Sequence, residues 1–422
     1  MVTPNSQDPR LTAFLSPGPE VFHAVELRHE VWTVDPFDVP QVHQEARDAF
    51  SKVLGQALTP PGLPAGRILL ILGESGSGKT HLMRVFRNQV HGSGDGLVGY
   101  VQLNTATQDY GRYFLVSLIE SLDKPYRKDQ SDMVSGLTRL SDLVTSRCLG
   151  EGALARLRDE EFSLEELAGL VSDASDYFVR QPGFDSLDLD IVRALVYLQR
   201  GDARIKTRVL KYLRCEDLSQ ADRNFLGGLV PRAREDDPAR TVQAFGQILW
   251  ATTGKSLVLC LDQMEDIWNM SNPKDRFRQA MNAVCEFVDR VPSSLVVISC
   301  LEDVYQELKP NVTRSVRDRL EADPAPCRLK AERPLEEVKE LLGRRLAHFY
   351  EQADVPFDPA DATYPIPLSR VETWASMRTR DVLEHCRCYR EEALSRFSQC
   401  NSFGKRTEKN PTLLAGLAMK TL

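Results

Sequence analysis

The chain has 422 residues, more than one hydrophobic core usually serves, so two or three subdomains are expected. At 42% hydrophobic and 27% charged residues it is not a disordered chain, and its net charge of −7 leaves room only for local contacts to nucleic acid. Its longest apolar runs, Ile68 to Leu72 and Leu257 to Leu261, have strand length and fall far short of the roughly 20 residues a membrane span needs.

The opening stretch from Met1 to Asp8 lacks the basic start and apolar middle of a signal peptide, so a cytoplasmic protein with no membrane partner is expected. The nine cysteines include no CxxC pair, and Cys260, Cys285 and Cys300 lie in apolar contexts that suit reduced packing residues. His385-Cys386-Arg387-Cys388 is a poor metal site, because positions i and i+2 of a helix face different directions.

In chain order, residues 1–66 form an N-terminal segment. A turn-rich stretch, Val34 to Pro40, precedes a helix-patterned run from Val42 to Leu58, and Pro60 to Gly66 is a break. Residues 67–106 open a sheet core: an apolar strand up to Leu72, a glycine-rich turn, a helix through Met83 to His91, a loop from His91 to Gly96 and a strand over Leu97–Leu103. Residues 107–250 show no comparable strand. Helical patterns recur instead at Tyr113–Leu122, Ser163–Phe178, Leu187–Leu198, Ile205–Leu213 and Arg240–Trp250. Residues 251–333 return to the core, with strands Ser256–Leu261 and Ser294–Ser299 around a helix over Asp275–Arg290, and residues 334–422 are again mostly helical. Continuous apolar strands separated by helices predict an α/β fold, a parallel sheet flanked by helices with a large helical insertion and a C-terminal helical region.

Gly73-Glu74-Ser75-Gly76-Ser77-Gly78-Lys79-Thr80, followed by His81, matches the phosphate-binding pattern GxxxxGK[ST] between a strand and a helix. Glycines let backbone N–H groups turn inward around phosphate oxygens, at the positive end of the following helix. Lys79 is expected to reach the β and γ phosphates of ATP and the Thr80 hydroxyl to complete a Mg²⁺ shell. The acidic partner of that metal should come from a strand tip, and Asp262 ends the run Leu257–Leu261. Glu265 is the candidate base for activating water.

With these motifs in order the chain resembles the AAA+ P-loop ATPases, nearest to the branch of origin-recognition initiators and transposition ATPases. The fold class is then a P-loop NTPase sheet with a helical lid. The resemblance implies a homo-oligomer in which an arginine of Ser315-Val-Arg317-Asp-Arg319-Leu320 reaches the γ-phosphate bound by a neighbouring subunit; Arg319 is the first choice, Arg317 and Arg314 the alternatives. It also implies a lid opening at Glu332–Leu346, a lid arginine at Arg380 with Arg378 in reserve, and a polar sensor at Ser299. Members often carry Glu directly after the metal-binding Asp, where this chain has Gln263. The insertion, Tyr197 to Leu226 in particular, is similar to helical segments in ATP-binding proteins of bacterial phage-defence systems.

Three functions are compatible with this reading. One is an ATPase that assembles on or remodels DNA or a DNA-bound partner. The second is a STAND-like signalling switch with slow hydrolysis, which Asp262-Gln263-x-Glu265 suits, and the third a scaffold that needs ATP to fold. Candidate phosphate contacts for DNA are Arg387, Arg390, Arg396, Lys405, Arg406 and Lys409.

Overall fold

The computed structural model describes residues 8–18, 20–23, 31–59, 66–103, 109–126, 134–158 and 162–404, with side chains as far as 397. The apolar runs become β1 (Arg67–Gly73), β2 (Gly96–Gln102), β3 (Ser256–Asp262) and β4 (Ser294–Leu301), and a three-residue strand β5 (Cys327–Leu329) joins them. They form a parallel sheet in the order β2-β3-β4-β1-β5. β3 is buried along its whole length, which requires helices on both faces.

The helices in chain order are α1 (Pro9–Phe14), α2 (Gln44–Leu58) and α3 (Lys79–Ser93), the last linking β1 to β2. Between β2 and β3 come α4 (Tyr110–Leu122), α5 (Gly136–Cys148), α6 (Glu151–Arg158), α7 (Leu164–Val179), α8 (Leu189–Tyr197), α9 (Ala203–Leu213), α10 (Gln220–Phe225) and α11 (Asp237–Thr253). Then α12 (Pro273–Arg290) joins β3 to β4, α13 (Glu302–Leu308) and α14 (Arg314–Glu321) lead to β5, and α15 (Leu335–Gln352), α16 (Leu368–Glu372) and α17 (Thr379–Gly404) close the chain.

Helix ends follow their capping residues. Ser163 and Glu166 form a capping box at α7, and Asp188 and Asp202 cap the first turns of α8 and α9 through their side chains. Helix α3 runs to Ser93, two residues past the expected end at His91. Gly92 stays helical, and it is Gly94, at φ +71°, that takes the left-handed conformation after the helix.

The chain divides into two compact units. The larger comprises residues 45–72 and 82–328. Its apolar core is continuous from the sheet (Leu259, Leu261, Val296, Ile298) through α4 and α11 (Leu118, Ile248) to the insertion (Leu195, Tyr197, Val209). The insertion therefore shares the core of the sheet that it interrupts. Phe50 of α2 and Phe86 of α3 stack within the same unit, ring centroids 4.0 Å apart.

The smaller unit comprises residues 1–44, 73–81 and 329–422. Phe14, Val21, Phe22 and Val39 from the N-terminal segment pack with Leu342, Leu346 and Phe349 of α15 and with Val382, Cys386 and Tyr389 of α17. Two arginines seal this packing by serving backbone carbonyls of the N-terminal segment. Arg345 donates to Val21 O at 2.5 Å, and Arg390 to Phe14 O at 3.3 Å and Ser16 O at 3.1 Å.

This corrects one expectation about DNA contacts. Arg390 is only 5% exposed, its guanidinium lies 4.7 Å from the centre of the Phe349 ring, and burial holds its pKa below the usual arginine value. Its stem and charge are used inside the unit. Replacing Arg390 with Ala should lower the unfolding free energy by about 2 kcal/mol, because two carbonyls lose a charged donor and two rings lose a packing partner; denaturant unfolding monitored by circular dichroism would check this.

Candidate nucleotide site

The glycine-rich turn sits in the smaller unit. β1 ends at Gly73, the backbone takes positive φ at Gly76 (+77°) and Gly78 (+100°), and α3 begins at Lys79. These conformations are open to glycine without a Cβ penalty. Space is also tight at Gly73, where a Cβ would stand 2.7 Å from Ser77 Oγ and 3.1 Å from Leu329 Cβ, so a side chain there would force a shift.

The Lys79 ammonium is buried and donates to Gly73 O at 3.2 Å and Glu74 O at 2.9 Å, so it folds across the start of the turn. Ser77 is 1% exposed, and its hydroxyl has no hydrogen-bond partner among the described residues. A buried hydroxyl left unpaired costs free energy. A cation, a helix N-terminus, two turns of left-handed glycine and an orphaned hydroxyl together fit a bound phosphate chain.

The other assigned residues of this unit occupy distinct places. Glu74 and Ser75 are exposed and Thr80 is partly buried in the first turn of α3. Arg380, in the first turn of α17, lies over Gly76, where an added Cβ would be 3.6 Å from its own Cβ and 3.8 Å from its Nε. Arg378 pairs instead with Glu74, Nη2 to Oε2 at 2.7 Å. The His81 ring faces the N-terminal segment, with Nδ1 3.2 Å from Asp35 and Nε2 3.1 Å from Asp38.

In the larger unit, the strand register builds the surroundings of Asp262. It stands beside Gln102 of β2, and one residue beyond the Leu261–Ile298 pair on β4 comes Ser299. The Asp262 carboxylate is fully buried. Its Oδ2 accepts from the Tyr100 hydroxyl at 2.9 Å, and its Oδ1 from the Ser299 hydroxyl and from Gln263 N at 3.0 Å. These donors converge on one buried carboxylate and fix its direction.

Gln263 turns the chain after β3 with φ +59°, and its Oε1 accepts from Gln102 Nε2 at 2.6 Å. The Glu265 carboxylate accepts from Leu301 N at 3.2 Å, at the end of β4. Burial and the neighbouring Asp262 charge push the Asp266 carboxyl above its usual range. On α14, Arg319 pairs with Asp289 of α12 at 2.7 Å, Arg317 is half-buried, and Arg314 is exposed with Asp318 at 3.9 Å.

A family model described as an AAA ATPase domain matches residues 46–298, more than half of the chain. The chain belongs to this AAA ATPase family. The match contains the phosphate loop and Asp262, supports ATPase activity in general, and ends one residue before Ser299. Neither the curated proteins nor the solved structures contain a match to this chain.

Tyr100, Gln102, His43 and Arg333 were not among the sequence candidates, yet each contacts a motif residue. Tyr100 reaches Asp262, Gln102 reaches Gln263, and His43 and Arg333 reach Ser77 O. In this AAA ATPase the Tyr100→Phe change should cost about 1–3 kcal/mol of stability, because one oxygen of a buried carboxylate loses its donor while the ring stays in place. Thermal unfolding of the variant beside Ser299→Ala would measure it.

Proposed function

We propose that the protein is an AAA+ ATPase that holds Mg-ATP between subunits of a homo-oligomer and uses binding and hydrolysis to assemble on or remodel DNA or a DNA-bound partner. The observation that carries the nucleotide part is the loop itself, where Lys79 and the Ser77 hydroxyl, without a hydrogen-bond partner among the described residues, stand at the start of α3. Thr80 and Asp262 supply oxygen donors of the kind Mg²⁺ takes, and Gly73 to His81, Arg380 and Ser299 complete the proposed nucleotide set. Held by these residues, Mg²⁺ would supply positive charge to offset the negative charge that builds up in transfer. Glu265 is the proposed base, and Arg319, with Arg317 in reserve, the residue that reaches a neighbour's γ-phosphate.

The DNA part, and a place in a phage-defence or mobile-element system, rest on resemblance. Of the candidate DNA contacts, Arg387 is paired with Glu384 and Glu391, each at 2.5 Å, and Lys405, Arg406 and Lys409 lie outside the described residues. A steep loss of DNA affinity with salt is the expected result in a binding titration.

The STAND-like switch is favoured by one observation. The position after Asp262 holds a glutamine that is itself hydrogen-bonded to Gln102, so no carboxylate stands there and slow turnover follows.

Lys79→Ala should lower ATP hydrolysis at least about hundredfold, through loss of the charge that faces the developing negative phosphate. Arg319→Ala should do the same while still binding ATP. If Arg319 acts on a neighbour's nucleotide, mixing the two inactive variants should restore part of the activity in a phosphate-release assay. A mixture as inactive as its components would contradict the shared site.

A further inference from the structure

The phosphate loop depends on a residue outside every motif. We propose that His43 is a positioning residue that aims the Gly78 amide at the bound phosphates by holding the carbonyl of the same peptide, Ser77 C=O, on the opposite side. The inference rests on the reading of Gly73–Thr80 as a triphosphate loop and deepens it.

In a trans peptide the C=O and the following N–H point in opposite directions. A loop that turns amides toward an anion must therefore present carbonyls outward, and buried carbonyls need donors. Lys79 serves Gly73 O and Glu74 O. Ser77 O is served by His43 Nε2 at 2.6 Å, with Arg333 Nη2 at 3.5 Å. A carbonyl oxygen only accepts, so His43 donates to it in the tautomer that carries the proton on Nε2, and the Arg333 guanidinium, with Nη2 3.1 Å from the same nitrogen, is the second donor beside it.

The peptide that this bond holds leads into Gly78, whose φ of +100° and missing Cβ leave its conformation weakly determined by itself. The imidazole also closes on that glycine, since an added Cβ at Gly78 would lie 3.3 Å from His43 Nε2 and 3.7 Å from Cδ2. Donor and packing thus act on the same peptide.

His43 is placed with care for a residue in a turn. Its own φ is +60°, a conformation unfavourable for a non-glycine residue that persists where surrounding contacts over-determine it. The same segment reaches the loop's far side through Asp35 and Asp38, which hold His81. Phe37 between them packs on the lid helix α15, with the Arg345 guanidinium 4.4 Å and the His348 ring 5.2 Å from its centre. Arg333, the second donor, is fixed by Glu337 at 3.1 Å, Thr379 Oγ1 at 3.2 Å and its own N–H to Met377 O at 2.9 Å. Residues 31–43 are thereby a strap across the loop, anchored on the lid.

The test is the affinity of the full chain for ADP and for inorganic pyrophosphate, by calorimetry, in His43→Phe and His43→Gln, with the melting temperature of each measured alongside. Phe keeps an aromatic ring without a donor, and Gln keeps an N–H near the Nε2 position. His43→Phe should remain folded and bind both ligands about tenfold more weakly, and His43→Gln should stay within about threefold of wild type. Wild-type affinity in His43→Phe would overturn the proposal, as would equal loss in the two variants. Should His43→Phe fail to fold, a folded His43→Gln that loses affinity would overturn it and one that retains affinity would support it. A wild-type protein that binds neither ligand would overturn the loop reading first, which separates that failure from this one.

Discussion

A loop that offers its amides to an anion has to dispose of its carbonyls, and much of the smaller unit serves that one constraint. Lys79 takes two of them from inside, and His43 and Arg333 take a third from outside. Because His43 comes from the N-terminal segment and Arg333 from the C-terminal helical region, the loop belongs physically with those two segments rather than with the strand that delivers it. The apolar contacts of Phe14, Phe22 and Val39 with α15 and α17 hold those distant segments in one body.

A second constraint governs the larger unit. A carboxylate at the end of a fully buried strand is costly unless it is surrounded by donors. Tyr100 and Ser299, from the strands on either side of β3, meet that requirement and leave Asp262 one direction to point. The Gln102–Gln263 bond then holds the next residue at the strand tip.

How much was legible follows from which signals are local. β1, β3 and β4 are continuous apolar runs with sheet on both sides, and the glycine pattern after β1 is complete, so the parallel α/β core could be read directly. β5 could not, since Cys327-Arg328-Leu329 is too short to show a period. The helices α5, α6 and α10 also escaped notice, the last two being only 8 and 6 residues long. His43, Arg333, Tyr100 and Gln102 act through contacts 34, 256, 162 and 161 positions away, and no spacing rule links them to their partners. Arg390 misleads for the opposite reason. An arginine on a helix reads as surface, and only the packed structure shows carbonyls and rings waiting for it.

Hydrogen exchange read by mass spectrometry, with and without Mg²⁺ and a non-hydrolysable ATP analogue, probes the strap, loop and lid together. Nucleotide should slow exchange in the loop over Gly73–Thr80 and, in parallel, in residues 31–43 and in the lid around Arg333 and Arg380. Slowed exchange in the loop alone, with the strap and lid unchanged, would contradict the view that these segments hold the nucleotide as one body.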